Sequence, residues 1–167
     1  RECQVRITSI ALLHETLHRS NDLSRIKMGD YVRTLTGHLF RSYGVDPAVV
    51  ALELNVEDVE FDIDTGLTCG LIIDELVSNC LKHAFVDGGS GIVHIDLFDH
   101  LDETFTLCVS DNGIGIPKDG LLNNPDSLGL ELVTLLAEKL DGSTELRSGA
   151  GTEWQIRFQQ LQYSERV

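Results

Sequence analysis

Apolar and polar positions follow two periods along the chain, and the two periods predict different elements. Apolar residues at helical spacing predict four helices, which cover residues 1–20, 29–43, 64–86 and 127–140. Alternating positions and turn residues predict strands, which cover residues 50–56, 91–98, 105–109, 143–148 and 152–159. The resulting order of helix, helix, strand, helix, strand, strand, helix, strand, strand predicts an α+β fold, with a mixed sheet that carries helices on one face.

The longest apolar stretch begins near Asp64 and is predicted to form a mostly buried helix. Asp64 or Thr65 would cap its start, and Gly88-Gly89 would end the segment. Its apolar residues recur at helical spacing: Leu71, Ile72, Ile73, Leu76, Cys80 and Ala84.

Three polar residues interrupt this apolar helix at spacings that put them on one side. Glu75, Asn79 and Lys82 are separated by four and three residues, so in α-helical geometry they share a stripe. Buried polar groups are costly unless a partner satisfies them. A magnesium–phosphate ligand would do so: Lys82 would neutralise phosphate, Asn79 would offer an oxygen to the metal, and Glu75 would orient or deprotonate a reacting group. The alternative is an ordinary amphipathic helix with a Glu–Lys contact on its solvent edge.

A second candidate stretch, Asp111 to Pro117, follows the strand that is predicted to end at Val109. Gly113 and Gly115 would let the backbone bend tightly and approach a ligand closely. Asp111 would point from the strand end into a cleft, where its carboxylate can accept a hydrogen bond from an exocyclic amine such as that of adenine. The alternative is a plain turn, because Asp-Asn-Gly is common in turns.

Two further stretches carry weaker signals. Ser127-Leu128-Gly129-Leu130 opens a predicted helix, whose first amide groups can bind an anion because Gly129 has no side chain to block approach. The alternative is a helix start capped by Asp126 or Ser127. Gly151-Thr152 begins the last predicted strand, and Thr152 is equally explained by ordinary β propensity.

Length, charge and cysteine usage limit the classes of function. The 167 residues suffice for one domain with a proper core, plus one appended element. A net charge of −14 argues against binding of a nucleic-acid backbone. No apolar run could span a bilayer and no signal-peptide pattern is present at the start, so we expect these 167 residues to make no membrane contact. The four cysteines lie singly among apolar residues, and we expect reduced thiols in a cytoplasmic protein.

In combination, the four stretches resemble the Bergerat ATP-binding fold. The ordered signature is Glu75-x-x-x-Asn79, Asp111-x-Gly113-x-Gly115, Leu128-Gly129-Leu130 and Gly151-Thr152. The chain is similar to the ATP-binding catalytic domain of sensor histidine kinases, in the superfamily that includes gyrase, Hsp90-type chaperones and MutL. The Lys82-His83 pair favours the histidine kinases, and the similarity covers about residues 50–159. The resemblance implies a two-layer α/β sandwich whose mixed sheet is mainly antiparallel, with helices on one face.

The N-terminal residues narrow the resemblance further. The stretch from Arg6 to Ser20 resembles the second helix of the dimerisation hairpin in the subgroup whose phosphoacceptor box reads His-Arg-Val-Lys-Asn-Asn. That box is absent from this sequence, and the first residue is Arg1 rather than Met, so we expect a fragment. The implied division is a partial hairpin at 1–24 and an ATP-binding catalytic domain at 25–167. We do not expect His14 to be the acceptor, since no Pro follows it in that turn.

The resemblance implies a role for each candidate residue in binding ATP and Mg²⁺. Asp111 would bind the adenine amine, with Thr152 nearby and the Gly113–Ile116 loop, including Gly115, framing the base. Asn79 would coordinate magnesium, while Lys82 and His83 would approach phosphate oxygens. Leu128, Gly129 and Leu130 would receive the phosphate tail, beneath a lid at about 118–127. Two departures are a single Gly129 where two glycines are usual, and a short lid.

The implied activity is transfer of the ATP γ-phosphoryl group to a histidine upstream of this fragment, assisted by Glu75, for relay to a response regulator receiver domain. The expected partners are the upstream phosphoacceptor helix and a second subunit of a homodimer, with no nucleic acid. The alternatives are an anti-sigma-type Ser/Thr kinase and a non-catalytic ATP-binding regulatory module. The predicted helix at 1–20 favours the histidine kinase over the first, and intact Glu75, Asn79 and Asp111 oppose the second.

Overall fold

A computed structural model describes residue 11 and residues 24–100, 102–116 and 127–160, without the side chains of residues 127 and 128. The predicted helix at 1–20 and most of the predicted lid lie outside these residues. The described helices are α1 (Met28–Ser42), α2 (Ile63–Asn79) and α3 (Ser127–Lys139). None of the helices in the described part of the chain is long and apolar enough to cross a membrane.

Five strands form the main sheet: β2 (Val50–Val56), β4 (Gly91–Asp99), β5 (Thr104–Asp111), β6 (Ser143–Gly149) and β7 (Gly151–Gln159). Their spatial order is β2-β4-β5-β7-β6. β2 and β4 are parallel, and the other three pairings are antiparallel. The prediction of a mixed, mainly antiparallel sheet is therefore confirmed.

The helices cover one face of this sheet. Along β4, Val93, Ile95 and Leu97 are fully buried, whereas the alternating positions between them are half-buried. Since successive side chains of a strand point to opposite faces, the buried set marks the face that packs against the helices. α2 lies in the middle of the helical layer, in contact with both α1 and α3. The result is the predicted two-layer α+β sandwich.

A small second sheet was not predicted. β1 (Arg25–Lys27) pairs antiparallel with β3 (Glu60–Asp62) and so joins the segment before α1 to the segment before α2. Phe61 of β3 is fully buried and packs edge-on against Phe105 and Phe158, with ring centroids 4.8 and 5.7 Å away. These aromatic contacts attach the small sheet to the core, since such pairs stabilise beyond simple burial.

The start of the long helix differs from its prediction. Neither Asp64 nor Thr65 is the cap. The N-cap is Asp62, whose Oδ1 accepts a hydrogen bond from the Thr65 amide at 3.0 Å. Its Oδ2 accepts from the Thr65 hydroxyl at 2.6 Å. The cap lies earlier than predicted because residue 62 is still extended, at the end of β3.

The end of the long helix also differs. The predicted continuous helix over 64–86 was wrong, because α2 ends at Asn79 and Cys80–Ala84 form a π-helical turn. A short 3₁₀ turn, Val86–Gly88, follows. A π-helical turn bonds to the residue five positions back, so the chain after Asn79 no longer follows α-helical spacing. Such turns occur frequently at functional sites, and this one lies beside the candidate residues described next.

Candidate nucleotide-binding site

Asp111 is the last residue of β5, and its side chain is 7% exposed. It lies on the same side of the strand as the buried Leu107 and Val109, so it faces the helices. Oδ1 accepts a hydrogen bond from the Gly113 amide at 2.9 Å, and Oδ2 accepts one from the Cys80 thiol at 3.3 Å. A carboxylate offers about four lone-pair sites, so capacity remains for a further donor.

Thr152 lies directly opposite Asp111 in the antiparallel pairing of β5 with β7. Directly opposite residues project from the same face of a sheet, so the structure brings these two predicted residues together. Gly151 precedes Thr152 with a φ of +103°, and a Cβ there would overlap the Asp111 carbonyl oxygen. A glycine is therefore required for the two strands to meet at this position.

The loop after Asp111 is held by the chain's own packing. A Cβ at Gly113 would overlap the backbone of Ala84, and the next amide, of Ile114, donates to the Ala84 carbonyl at 3.0 Å. The sequence suggested that glycine was needed for approach to a ligand. The structure adds a second reason, which is the close contact between this loop and the π-helical turn.

The second glycine of the loop contacts the hairpin between β6 and β7. Gly115 has a φ of +72°, and a Cβ there would lie 2.6 Å from the Gly149 carbonyl oxygen. The adjacent Ile116 amide donates to the Ser148 hydroxyl at 2.8 Å. The loop is thus fixed between Ala84 on one side and the hairpin on the other. Neither contact residue, Ala84 nor Ser148, could be identified from the sequence.

Asn79 ends α2, immediately before the π-helical turn. Its Oδ1 atom is buried and has no hydrogen-bond partner among the described residues. Glu75 lies one α-helical turn earlier, as predicted from the spacing. Lys82 and His83 lie within the π-helical turn. The α-helical spacing that was predicted to align three residues therefore applies to Glu75 and Asn79 but does not extend to Lys82.

Glu75 lies against the first turn of α3. A Cβ at Gly129 would overlap the Glu75 carboxylate, so the space left by the missing side chain is used by Glu75. Gly129 is buried and Leu130 half-buried, while the side chain of Leu128 lies outside the described residues. A negative carboxylate beside a helix start is electrostatically favourable. Whether the same helix start receives phosphate stays a prediction.

Burial and charge act together on Cys80. Burial raises the pKa of the Cys80 thiol well above its usual value, and the neighbouring Asp111 charge and hydrogen bond raise it further. Deprotonation would put two negative charges next to each other in a buried position. Cys80 therefore keeps its proton and donates it towards Asp111.

A cleft of about 480 Å³ opens beside the same hairpin. Asp111 and Thr152 border it, but so do His94, Ser110 and Arg147, which lie on the helix-free face of the sheet. Because the Asp111 oxygens are engaged on the helical side, the candidate site lies there and not in this cleft.

The described residues hold no group of three or more His, Cys, Asp and Glu side chains suited to a metal ion. Any metal here would be held mainly by a bound ligand and water, as is usual for Mg²⁺ at phosphate-binding sites. The buried Oδ1 of Asn79 is suited to such a metal, because it is a neutral oxygen donor to which no group in the described part of the chain donates a hydrogen bond.

Comparison with solved structures supports the fold. The histidine kinase domain of the Erythrobacter litoralis EL346 blue-light activated histidine kinase superimposes with a TM-score of 0.81 at 24% identity, covering 93% of this chain and 73% of that one. The mycobacterial sensor histidine kinase MprB superimposes with a TM-score of 0.65 at 17% identity, covering 82% and 98%.

Curated relatives are similar in sequence. Blue-light-activated histidine kinase 2 of Erythrobacter litoralis is 33% identical over 105 residues, or 61% of this chain and 30% of the relative. Sensor histidine kinase PdtaS of Mycobacterium tuberculosis is 30% identical over 156 residues, or 91% of this chain and 30% of the relative. The chain thus spans under a third of the length of these relatives.

Two family models match the sequence. One, described as histidine kinase, covers residues 1–43. The other, described as histidine kinase-, DNA gyrase B-, and HSP90-like ATPase, covers residues 66–162 and includes every predicted site residue. The second match extends over more than half of the chain, which therefore belongs to the histidine kinase-, DNA gyrase B-, and HSP90-like ATPase family, and its curated relatives are histidine kinases.

Proposed function

We propose that the chain is the ATP-binding catalytic part of a two-component sensor histidine kinase, which transfers the ATP γ-phosphoryl group to a histidine located upstream. The observation that carries the proposal is the buried Asp111 carboxylate, held by two internal donors and paired across the sheet with Thr152. The remaining lone pairs of the carboxylate can accept a hydrogen bond from one N–H of the exocyclic amine of adenine.

Adenine recognition would involve the loop as well as the carboxylate. Gly113 and Gly115 are fixed against the π-helical turn and the β6–β7 hairpin, so the loop is preorganised before a nucleotide binds. Ile116 follows directly and would contact the base. A preorganised site loses less conformational entropy on binding than a flexible one.

The phosphates would lie towards the end of α2. Asn79 would hold Mg²⁺ through its buried Oδ1, and the metal, when bound, neutralises charge on the phosphate oxygens. Lys82 would neutralise a further phosphate charge, with His83 beside it in the π-helical turn. Leu128, Gly129 and Leu130, at the start of α3, would approach the terminal phosphates through their amides.

Glu75 would orient or deprotonate the acceptor histidine. Its carboxylate lies beside Gly129, so it is close to the helix start that would receive the phosphates. A carboxylate in this place can accept an imidazole N–H and hold the ring for in-line attack on the γ-phosphorus.

The partners follow from the family and remain part of the proposal. The acceptor would lie in a His-Arg-Val-Lys-Asn-Asn box on an upstream hairpin, of which residues 1–24 would be the second helix. Residues 25–167 would be the catalytic domain, and we propose a cytoplasmic homodimer that passes the phosphoryl group to a response regulator. The histidine kinase match at residues 1–43 supports this reading over an anti-sigma-type kinase or a non-catalytic module.

Radiolabelled ATP tests the proposal. The chain alone should bind ATP without labelling itself, whereas a hairpin fragment with the His-Arg-Val-Lys-Asn-Asn box should be labelled when both are mixed. The label should be acid-labile, as phosphohistidine is, and should appear much more slowly with Glu75→Ala. An acid-stable label on the partner would indicate a Ser/Thr kinase instead. A label on the chain alone that disappears in His14→Gln would make His14 the acceptor.

A further inference from the structure

We propose that Cys80 is a positioning residue for nucleotide selection: its thiol holds the Asp111 carboxylate in the orientation that accepts the adenine amine. The inference rests on the proposed ATP site and adds a residue that determines base specificity within it. Cys80 was expected from the sequence only to be a buried, reduced thiol. The structure instead joins it to Asp111, 31 residues away in the sequence, through a Sγ–Oδ2 hydrogen bond of 3.3 Å.

Two donors on two different oxygens fix the plane of the carboxylate. Rotation about the last side-chain bond of an aspartate is soft and turns both oxygens together, so one hydrogen bond restrains the carboxylate plane less tightly than two bonds on different oxygens. The Gly113 amide holds Oδ1 at 2.9 Å, and the Cys80 thiol holds Oδ2. With both bonds made, the unused lone pairs keep one direction, and a donor in the base pocket meets a carboxylate that is already oriented.

The backbone also fixes the thiol. Cys80 is the first residue of the π-helical turn, and its amide donates to the carbonyls of Leu76 and Val77. The residue is 8% exposed. A side chain on a hydrogen-bonded helical turn in a packed environment has few rotamers available. The sulfur therefore has few positions available, and the one that it adopts is within hydrogen-bond distance of Asp111.

Simple packing is the competing explanation, because a buried cysteine often behaves as a small apolar residue. The two explanations predict different results for Cys80→Ser and Cys80→Ala. Serine keeps a donor on a shorter side chain, whereas alanine removes the donor and leaves Oδ2 of a buried carboxylate with one bond fewer. A positioning role affects base selection, and a packing role affects only the stability of the fold.

The experiment is titration calorimetry of the 167-residue chain with ATP and GTP in the absence of magnesium, so that the proposed metal ligand is not probed. Cys80→Ala should weaken ATP binding about threefold to tenfold, the range of one net hydrogen bond, with a smaller effect on GTP. Cys80→Ser should restore the preference for ATP to within about twofold of the parent. Cys69→Ala is the matched control, since Cys69 is a buried cysteine of α2 with 1% exposure.

Thermal unfolding without nucleotide accompanies each titration. If Cys80→Ala and Cys69→Ala lose similar stability and Cys80→Ala keeps the parent's ratio of ATP to GTP affinity, the positioning role is refuted. The same conclusion follows if Cys80→Ser behaves as Cys80→Ala does in binding. If the parent itself fails to bind ATP, the proposed function fails before any variant is compared, so the two failures are distinguishable.

Discussion

Replacing Asp111 by Asn changes one oxygen of a buried carboxylate into an amide nitrogen and removes a negative charge. The asparagine oxygen can still accept the hydrogen bond from the Gly113 amide. The asparagine NH₂ group, however, takes the place of Oδ2, which accepts from the Cys80 thiol in the parent, and an NH₂ group is a donor. An adenine amine would therefore lose a charged acceptor, which costs about 1.5–3 kcal/mol. ATP binding should weaken about 10- to 150-fold.

The effect on GTP should be different. Guanine carries a carbonyl oxygen where adenine carries its amine, and the NH₂ group introduced by the substitution would face it as a donor instead of a negative charge. Asp111→Asn should therefore narrow the difference between the affinities for ATP and GTP. Titration calorimetry of the parent and the variant with each nucleotide measures both affinities.

Asp96→Asn is a suitable control for this substitution. It makes the same change of charge on the neighbouring strand β4, at a half-buried position on the helix-free face. Its ATP affinity should equal that of the parent. Equal binding of ATP and GTP by the parent would refute the assignment of Asp111 to adenine. So would an ATP affinity of Asp111→Asn that matches the Asp96→Asn control.

Three further substitutions test other parts of the structure. Gly113→Ala should lower the free energy of unfolding by about 1–3 kcal/mol in urea denaturation, since its Cβ would overlap Ala84, whereas Gly149→Ala, with open space around it, is a control that should not. Asn79→Ala should remove the magnesium-dependent part of ATP affinity, measured by titration with and without Mg²⁺; a parent-like response to magnesium would contradict the ligand assignment. Asp62→Ala should lower the free energy of unfolding by about 1 kcal/mol at neutral pH, because the N-cap of α2 is lost. Burial raises the pKa of Asp62, but hydrogen bonds, chiefly from Thr65, outweigh burial and hold it below the usual value. The Asp62 contribution is therefore present above the unfolded-state pKa and lost as pH falls through the folded one, so parent and variant should converge in acid; a constant difference would contradict this.

Strands were predicted more accurately than the ends of helices. β4 was predicted over 91–98 and spans Gly91–Asp99, because its half-buried and buried residues alternate from Ile92 to Phe98. β1 and β3 were not predicted, since three residues cannot display an alternation. Their pairing depends on a contact between segments far apart in the sequence, which local patterns do not encode.

The break in the long helix could not be predicted from local pattern either. Leu76, Cys80 and Ala84 have the spacing of a continuous α-helix, and no Gly or Pro marks the change to a π-helical turn. The π-helical turn instead makes a tertiary contact: its Ala84 carbonyl accepts a hydrogen bond from the Ile114 amide, which is distant in the sequence. The hydrogen bond from the Cys80 thiol to the Asp111 carboxylate was not predicted either, because it too joins segments that are distant in the sequence.

Asp111 and Thr152 were expected to be neighbours because of the family resemblance, and the register of the sheet places them opposite each other. The sequence alone offered only an acidic residue in a turn and a threonine in a strand. The family resemblance added the expectation that these two residues are close in space although 40 residues of chain separate them, which no local sequence pattern indicates. The structure alone shows that Gly113, Gly115 and Gly151 are also required by close contacts with the protein's own backbone.

The pairing of β5 with β7 at the centre of the sheet also has a consequence for folding. The β4–β5 and β6–β7 connections are short, so each hairpin can form early with a small loss of chain entropy. Joining β5 to β7 must instead close a loop that contains the residues from Asn112 to Gly151, including α3. Because closing this longer loop costs more chain entropy, we expect Asp111 and Thr152 to meet after the two hairpins have formed. During synthesis, a chain that lacks β7 would lack the Thr152 side of the proposed adenine site, so nucleotide binding would report that β7 has joined the sheet.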